Sequence, residues 1–149
     1  MENFASYFTK DSKIMLENVS YESVPPLKEP TKGKKLDCKD SIVASVKYPL
    51  GVKIVFNRRM TFDPEEMFVL SVSFSALMKF DPEKRDLVDW RSVDLVKEFT
   101  RGFPTLLATL NARTTLLVAQ ITSAAGSSPL IPIAARAPGK AGGYNNPEI

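Results

Sequence analysis

The chain contains no histidine and one cysteine, Cys38. The commonest general base and metal ligand is therefore missing, and Cys38 has no imidazole to take its proton. A lone cysteine inside an apolar strand pattern reads as a small core hydrophobe. Two acidic clusters at predicted turns, Asp63-Glu65-Glu66 and Asp81-Glu83-Asp86-Asp89, are the remaining groups with cation-binding chemistry, but charged turns of this kind are ordinarily solvated. Walker, nucleophile-elbow, dinucleotide and zinc spacings do not occur. The expectation is a binder rather than an enzyme, with no cofactor and no metal.

Charge offers a second possible chemistry. The net charge is +3, yet nine Lys/Arg and three Asp/Glu fall between Lys28 and Arg59. Such a stretch can be a nucleic-acid footprint. It can equally be a solvated loop and strand edge, because lysines on edge strands discourage aggregation. No aromatic residue is interleaved between Lys28 and Lys47, and the cations make no helical stripe, so the solvated reading is preferred. The single cysteine excludes an intrachain disulfide and fits a reducing compartment. No run of about 18 apolar residues is present, and MENFASYFTKDSK lacks the pattern of a secretion signal. A cytoplasmic protein is expected, with one domain over residues 1–133.

The element that must organise the rest is Phe68–Phe80. Its even positions, Phe68, Leu70, Val72, Phe74, Ala76, Met78 and Phe80, are all apolar, whereas Val69, Ser71, Ser73, Ser75, Leu77 and Lys79 are small, polar or mixed. One face of a strand is thus apolar and the other wettable. At ~3.3 Å per residue it runs roughly 43 Å, so strands of similar length must flank it and an apolar layer must cover it. Lys13–Glu22 reads as one partner, with Ile14 and Leu16 in one parity and Val19 and Tyr21 in the other. That change of phase at Asn18 predicts a bulge. Leu36–Tyr48 and Val52–Phe62 complete four strands, joined by short turns into an antiparallel sheet of meander or Greek-key order. Residues 1–12 are either a frayed arm or a short helix docking Phe4, Tyr7 and Phe8.

After Asp81-Pro82-Glu83-Lys84 the period changes from 2 to 3.6. Asp89-Trp90-Arg91-Ser92 leads into a short helix, Val93–Arg101, with Ser92 as its N-cap and Leu95, Val96 and Phe99 as its apolar stripe. Pro104 opens a second helix, Pro104–Ala125, about 22 residues or ~33 Å long. Its stripe of Phe103, Leu106, Leu107, Leu110, Thr114, Leu117, Val118, Ile121 and Ala125 is the natural cover for the long strand. Ala108, Ala112, Thr115, Ala119 and Thr122 form a second stripe of small residues, and Arg113 is the only charge between Pro104 and Ala125. A helix apolar on both sides calls for a partner, and the chain has no second long helix, so a second copy is expected there. Leu130-Ile131-Pro132-Ile133 should be an extended surface piece, and 134–149 a disordered Gly/Pro/Asn-rich tail.

Four antiparallel strands, a Trp-bearing crossover, a short and a long helix and a Pro-containing apolar end resemble the SecB protein-export chaperones. The closest likeness is GFPTLLATLNARTTLLVAQITSAAGSSPLIPI, where Phe103-Pro104, Ala112-Arg113, Gly126 and Pro129–Ile133 stand at the family's helix opening, mid-helix Ala-Arg pair, terminal Gly and Pro-containing end. Val19-Ser20-Tyr21-Glu22 before Pro25 is similar to the family's opening strand. The resemblance implies an α+β, SecB-like holdase that binds non-native polypeptides in apolar grooves. Phe74, Leu77, Met78, Phe80, Trp90, Leu95, Phe99 and Leu116 would line the groove. It also implies a dimer of dimers, with Ile14, Leu16 and Val19 of the first strand and Ala108, Ala112, Thr115, Ala119 and Thr122 of the long helix at the interfaces.

One departure is plain. The family's acidic sheet face docks the SecA motor, but here Ser71, Ser73, Ser75 and Lys79 offer no carboxylate, which puts SecA docking in question. A SecB-fold chaperone with a dedicated client such as an antitoxin, a nucleic-acid module using residues 28–59, and a structural subunit of a phage or toxin–antitoxin assembly remain as alternatives.

Overall fold

In a computed structural model, residues 1–25, 35–63, 67–126 and 129–131 are described. Four strands, β1 (Phe8–Val24), β2 (Lys35–Lys47), β3 (Gly51–Asp63) and β4 (Met67–Phe80), precede α1 (Leu95–Gly102) and α2 (Pro104–Ala124). Short 3-10 turns occupy Phe4–Tyr7, Arg85–Leu87 and Trp90–Ser92. The strands form one antiparallel sheet in the order β1-β4-β3-β2. Strands β2, β3 and β4 make a meander and β1 returns beside β4, which is a Greek key.

The alternation in β4 decides the layering. Its even residues are buried beneath α2, apart from the half-buried Phe74. The odd residues form the outer face, where Ser73 and Ser75 are nevertheless covered. Asn57 explains the first, donating from Nδ2 to Ser71 Oγ at 3.0 Å and to Ser73 Oγ at 2.6 Å. Glu17 explains the second, accepting from Ser75 Oγ at 2.5 Å.

The change of phase in β1 is a bulge. Leu16 pairs with Phe74 and Asn18 with Ser73, leaving Glu17 as the extra residue. Before it Ile14 and Leu16, and after it Val19 and Tyr21, oppose Ala76, Phe74, Val72 and Leu70. Directly opposed residues share a face, so the bulge brings both parities of β1 onto the α2 side. The displaced Glu17 carboxylate turns outward and pairs with Lys53 Nζ at 2.8 Å. The Lys53 hydrogen bond, with that from Ser75, holds Glu17 below the ordinary carboxylate value of 4.5. A carboxylate lowered by folding stabilises fully above its ordinary value, and that contribution fades as pH falls through the lowered one. Glu17→Gln is therefore expected to lose part of the wild type's decline in stability between roughly pH 5 and 3, read by urea unfolding across that range. An unchanged decline would mean that Glu17 titrates alike folded and unfolded.

Helix α1 begins two residues later than its periodicity suggests. Its cap is Asp94, whose Oδ1 accepts from Lys97 N–H at 3.2 Å. Ser92 is not the cap but lies in the preceding 3-10 turn. Helix α2 packs on β4 and β3, burying Leu110, Thr114, Val118 and Thr122. Thr122 completes the inward stripe, whereas Ala125 is exposed. Threonines are tolerated there because Thr114 and Thr122 each donate at 2.8 Å to the carbonyl one turn back. Leu130 packs near the far end of α2 in no strand, and its N–H donates to Thr122 Oγ1 at 3.0 Å. The expected tail, 134–149, lies outside the described residues.

Two apolar clusters lie between helix and sheet. One gathers Phe4, Phe8, Phe56, Phe80, Trp90, Phe99 and Leu110 among others. The second gathers Met60, Phe68, Leu70, Val72 and Val118. On β3 the residue between Phe56 and Met60 on the inward face is Arg58, only 1% exposed.

Candidate polypeptide-binding surface

Three features of the helix side of the sheet bear on function: a polar hub, an aromatic box at one end, and an apolar shelf along β1.

The hub is centred on Arg58. Its guanidinium grips Asp40, Nε to Oδ1 at 2.8 Å and Nη2 to Oδ2 at 3.0 Å. It also donates to Asn111 Oδ1 at 2.7 Å and Thr115 Oγ1 at 2.9 Å on α2. Asp40 and Arg58 are register partners on adjacent strands. The hub thus ties the β2–β3 hairpin to the middle of α2. Burial disfavours the charged guanidinium and lowers the Arg58 pKa, yet the fork-to-fork carboxylate holds the charge in place. The basic stretch is divided by this arrangement. Arg58 faces inward, Lys53 is paired with Glu17, and residues 28–34 lie outside the described residues.

The aromatic box closes the end of the sheet where β4 leads into the crossover. Phe80 lies 4.7 Å from Trp90 and 5.5 Å from Phe8 between ring centroids. Phe99 lies 5.2 Å from both Phe8 and Phe103. Trp90 satisfies its indole N–H on Arg85 O at 2.8 Å. Phe4 completes the box from the N-terminal turn, so residues 1–12 are a docked turn continuing into β1. Outside the box, Tyr48 donates to Asp86 Oδ1 at 2.8 Å. Its phenol is held above its ordinary value because losing the proton would leave a phenolate against that carboxylate.

The shelf is the α2-side face of β1. Helix α2 covers β3 and β4 but leaves Leu16 50%, Val19 41% and Tyr21 39% exposed. Ile14 and Phe74 beside them are half-buried. In the described sheet β1 is also an edge, its outward backbone groups without a ladder partner. An exposed edge strand of 17 residues that carries Leu16, Val19 and Tyr21 on one face is unusual in a chain that works alone.

The eight residues expected in a groove are placed in different surroundings in the protomer. Met78, Phe80, Trp90, Leu95 and Phe99 are brought together, but all are at most 5% exposed, inside the box and the core beside it. Phe74 is half-buried at the shelf. Leu77 lies on the outer face, opposite Lys13 and Lys53, because its odd parity turns it away from α2. Leu116 is 61% exposed on the solvent side of α2. Of the expected interface residues, Ile14, Leu16 and Val19 share the shelf, and Ala108 and Ala112 are exposed. Thr115 is turned toward Arg58, Ala119 is half-buried, and Thr122 is buried inside the protomer, so the small-residue stripe is not one open seam. Sequence reasoning missed Asp40, Arg58 and Asn111 as a hub, and assigned Thr115 to an interface rather than to Arg58. The available signal was a lone acid and a lone base at the inward parity of two adjacent apolar strands.

The acids at 81–89 have local partners: Asp81 Oδ1 accepts from Glu83 N–H at 3.0 Å, and Asp89 Oδ1 from Arg91 N–H at 3.2 Å. Among the described residues no group of three or more His, Cys, Asp or Glu is placed to hold a metal ion, and no helix is long and apolar enough to cross a membrane.

No protein-family model matches the sequence, and comparison with curated proteins finds no match. Among solved structures, the chain is similar to a SecB-like chaperone of Mycobacterium tuberculosis in complex with a ChAD peptide from the HigA1 antitoxin. The TM-score is 0.61 at 12% identity, over 86% of this chain and 90% of that one. The fold is SecB-like.

Proposed function

We propose that this SecB-like fold serves as a non-enzymatic chaperone, a holdase that binds non-native polypeptide through apolar surface and needs no nucleotide. The observation that carries the reading is the match of this fold to that of a chaperone solved with a bound peptide; the apolar shelf that α2 leaves open on β1 supports assembly. Leu16, Val19 and Tyr21 beside an unpaired backbone edge suit pairing of β1 with its own copy about a two-fold axis. The exposed Ala108, Ala112 and Leu116 on α2 suit a second contact, giving a dimer of dimers in the cytoplasm. Clients would engage the aromatic end, near Phe80, Trp90 and Phe99. Their affinity would come from buried apolar area at ~25 cal/mol per Å², less the cost of ordering.

A dedicated client such as an antitoxin is favoured over general export by two observations. The structural neighbour holds an antitoxin peptide, and the outer face of β4 presents serines and Lys79 rather than acids for SecA. Nucleic-acid binding is disfavoured by the burial of Arg58 and the pairing of Lys53. The test is aggregation of a chemically denatured client diluted into buffer without nucleotide. The expected result is near-complete suppression of light scattering at an equimolar ratio of assembly to client. Scattering unchanged by the protein would overturn the reading.

A further inference from the structure

Phe4 stands out among its neighbours. Glu2, Asn3, Ala5 and Ser6 are exposed, yet Phe4 is only 4% exposed. Its ring lies 4.9 Å from Phe99, 5.1 Å from Phe8, 6.0 Å from Phe103 and 6.3 Å from Trp90, edge-on to each. Helix α1 makes room for it at Gly102, where a Cβ would stand 3.3 Å from Phe4 Cδ1 and meet no other residue within 4 Å.

The rest of the N-terminal segment is held by the Tyr7 ring 5.9 Å from Trp90, by the Met1 ammonium 3.4 Å from Glu98 Oε1, and by a few hydrogen bonds. Arg101 Nη2 donates to Met1 O at 2.7 Å, Lys84 Nζ to Ser6 O at 3.3 Å, and Asp81 N–H to Tyr7 O at 2.9 Å. Asn3 sits in the left-handed region, φ 54°, which asparagine adopts more readily than most residues with a side chain. Between Phe8 and Ser12 the pairing of β1 with β4 is irregular, and Lys10 and Asp11 are exposed. The segment is thus one buried aromatic side chain, Phe4, beside the half-buried Tyr7, at the end of an irregular strand and seated in a slot made of other elements. Those elements carry Trp90 and Phe99, which the proposed function assigns to client contact.

We infer that residues 1–7 are a displaceable occupant of the client site. Phe4 fills the aromatic pocket that takes an aromatic side chain of a bound polypeptide, and the segment leaves as the client enters. The inference rests on the holdase reading. It makes the free protein partly self-blocked, because apparent affinity falls by the fraction of time the pocket is open. It also selects clients that present an aromatic residue on an extended segment.

The experiment titrates fluorescein-labelled, reduced and carboxymethylated α-lactalbumin with the full chain, its Phe4→Ala variant and its Gly102→Ala variant. Phe4→Ala empties the pocket, and Gly102→Ala crowds only Phe4 while favouring helix α1. Both are expected to bind the client more tightly, Phe4→Ala by roughly tenfold. A peptide of residues 1–8 added in excess should weaken binding by Phe4→Ala toward the wild-type value, and the same peptide with alanine in place of Phe4 should not. Trp90, the only tryptophan, reports by its emission whether the Phe-containing peptide enters the box. Binding by both variants equal to or weaker than wild type overturns the inference and leaves the holdase reading standing. If Phe4→Ala does not fold, Gly102→Ala at wild-type affinity overturns it alone. Absence of client binding by all three chains overturns the holdase reading itself.

Discussion

Arg58→Met is expected to lower the free energy of unfolding by about 3–5 kcal/mol, a large part of the total for a domain this size. The magnitude comes from what the substitution leaves behind. Asp40, with a side chain 4% exposed, would lose both hydrogen bonds of its guanidinium partner while still buried. Asn111 and Thr115 would lose the donor that fixes α2 over the hairpin. A buried charge without its counter-charge is among the most costly single changes a fold can suffer, whereas replacing the whole pair by apolar groups is often neutral. Arg58→Met combined with Asp40→Leu should therefore recover most of the loss. Arg58→Lys should recover little, because an ammonium cannot present the fork that meets Asp40, Asn111 and Thr115 together. Urea unfolding of the three variants measures this, and a cost for Arg58→Met below about 1 kcal/mol would show that the hub contributes little.

Leu16→Glu combined with Val19→Glu is expected to lower the native mass by light scattering from that of the dimer of dimers to that of two 16.5 kDa chains joined through α2. Both side chains are at least 41% exposed in the protomer, so the folded chain loses little packing; exposed substitutions usually change stability by about 0.5 kcal/mol or less. The effect falls on assembly. Four new carboxylates would face one another across a two-fold β1–β1 edge, and the burial of Leu16 and Val19 that drives association would be lost. Far-UV circular dichroism should be unchanged and suppression of client aggregation reduced. A wild-type chain that is already monomeric, or a variant that keeps the wild-type mass, would remove β1 as the interface.

Most of the architecture was readable because it depends on alternation, and alternation is local. The even face of Phe68–Phe80, the phase change in β1 and Pro104 at the start of a helix each express a steric or packing rule within a few residues. The bounds shifted where a competing cap was available. Asp94 reaches Lys97 N–H, so α1 starts after it rather than at Val93. The candidate site was less readable because it depends on which surfaces meet. Asp40 and Arg58 look like two more members of a charged stretch until the register puts them side by side under α2. Trp90 and Phe99 look like groove lining until Phe4, 86 residues before Trp90 in the chain, fills the space between them. Leu77 was separable by parity alone. Its odd position already placed it with Ser73 and Ser75, on the face away from the helix.

The hub also divides the interior. Phe56 and Leu110 lie on one side of Arg58, and Met60 and Val118 on the other. A row of hydrogen-bonded polar groups has fixed partners and cannot slide as hydrocarbon can, so it acts as a bulkhead between two oil-filled compartments. Disturbance at the aromatic end would then be damped at Arg58, with the half-buried Phe74 an apolar link between the two clusters. The compartment built on Phe68, Leu70 and Val118 would keep its packing while the aromatic end is disturbed. A molecule built this way can open at one end repeatedly without approaching global unfolding, because local openings are confined to the less stable unit.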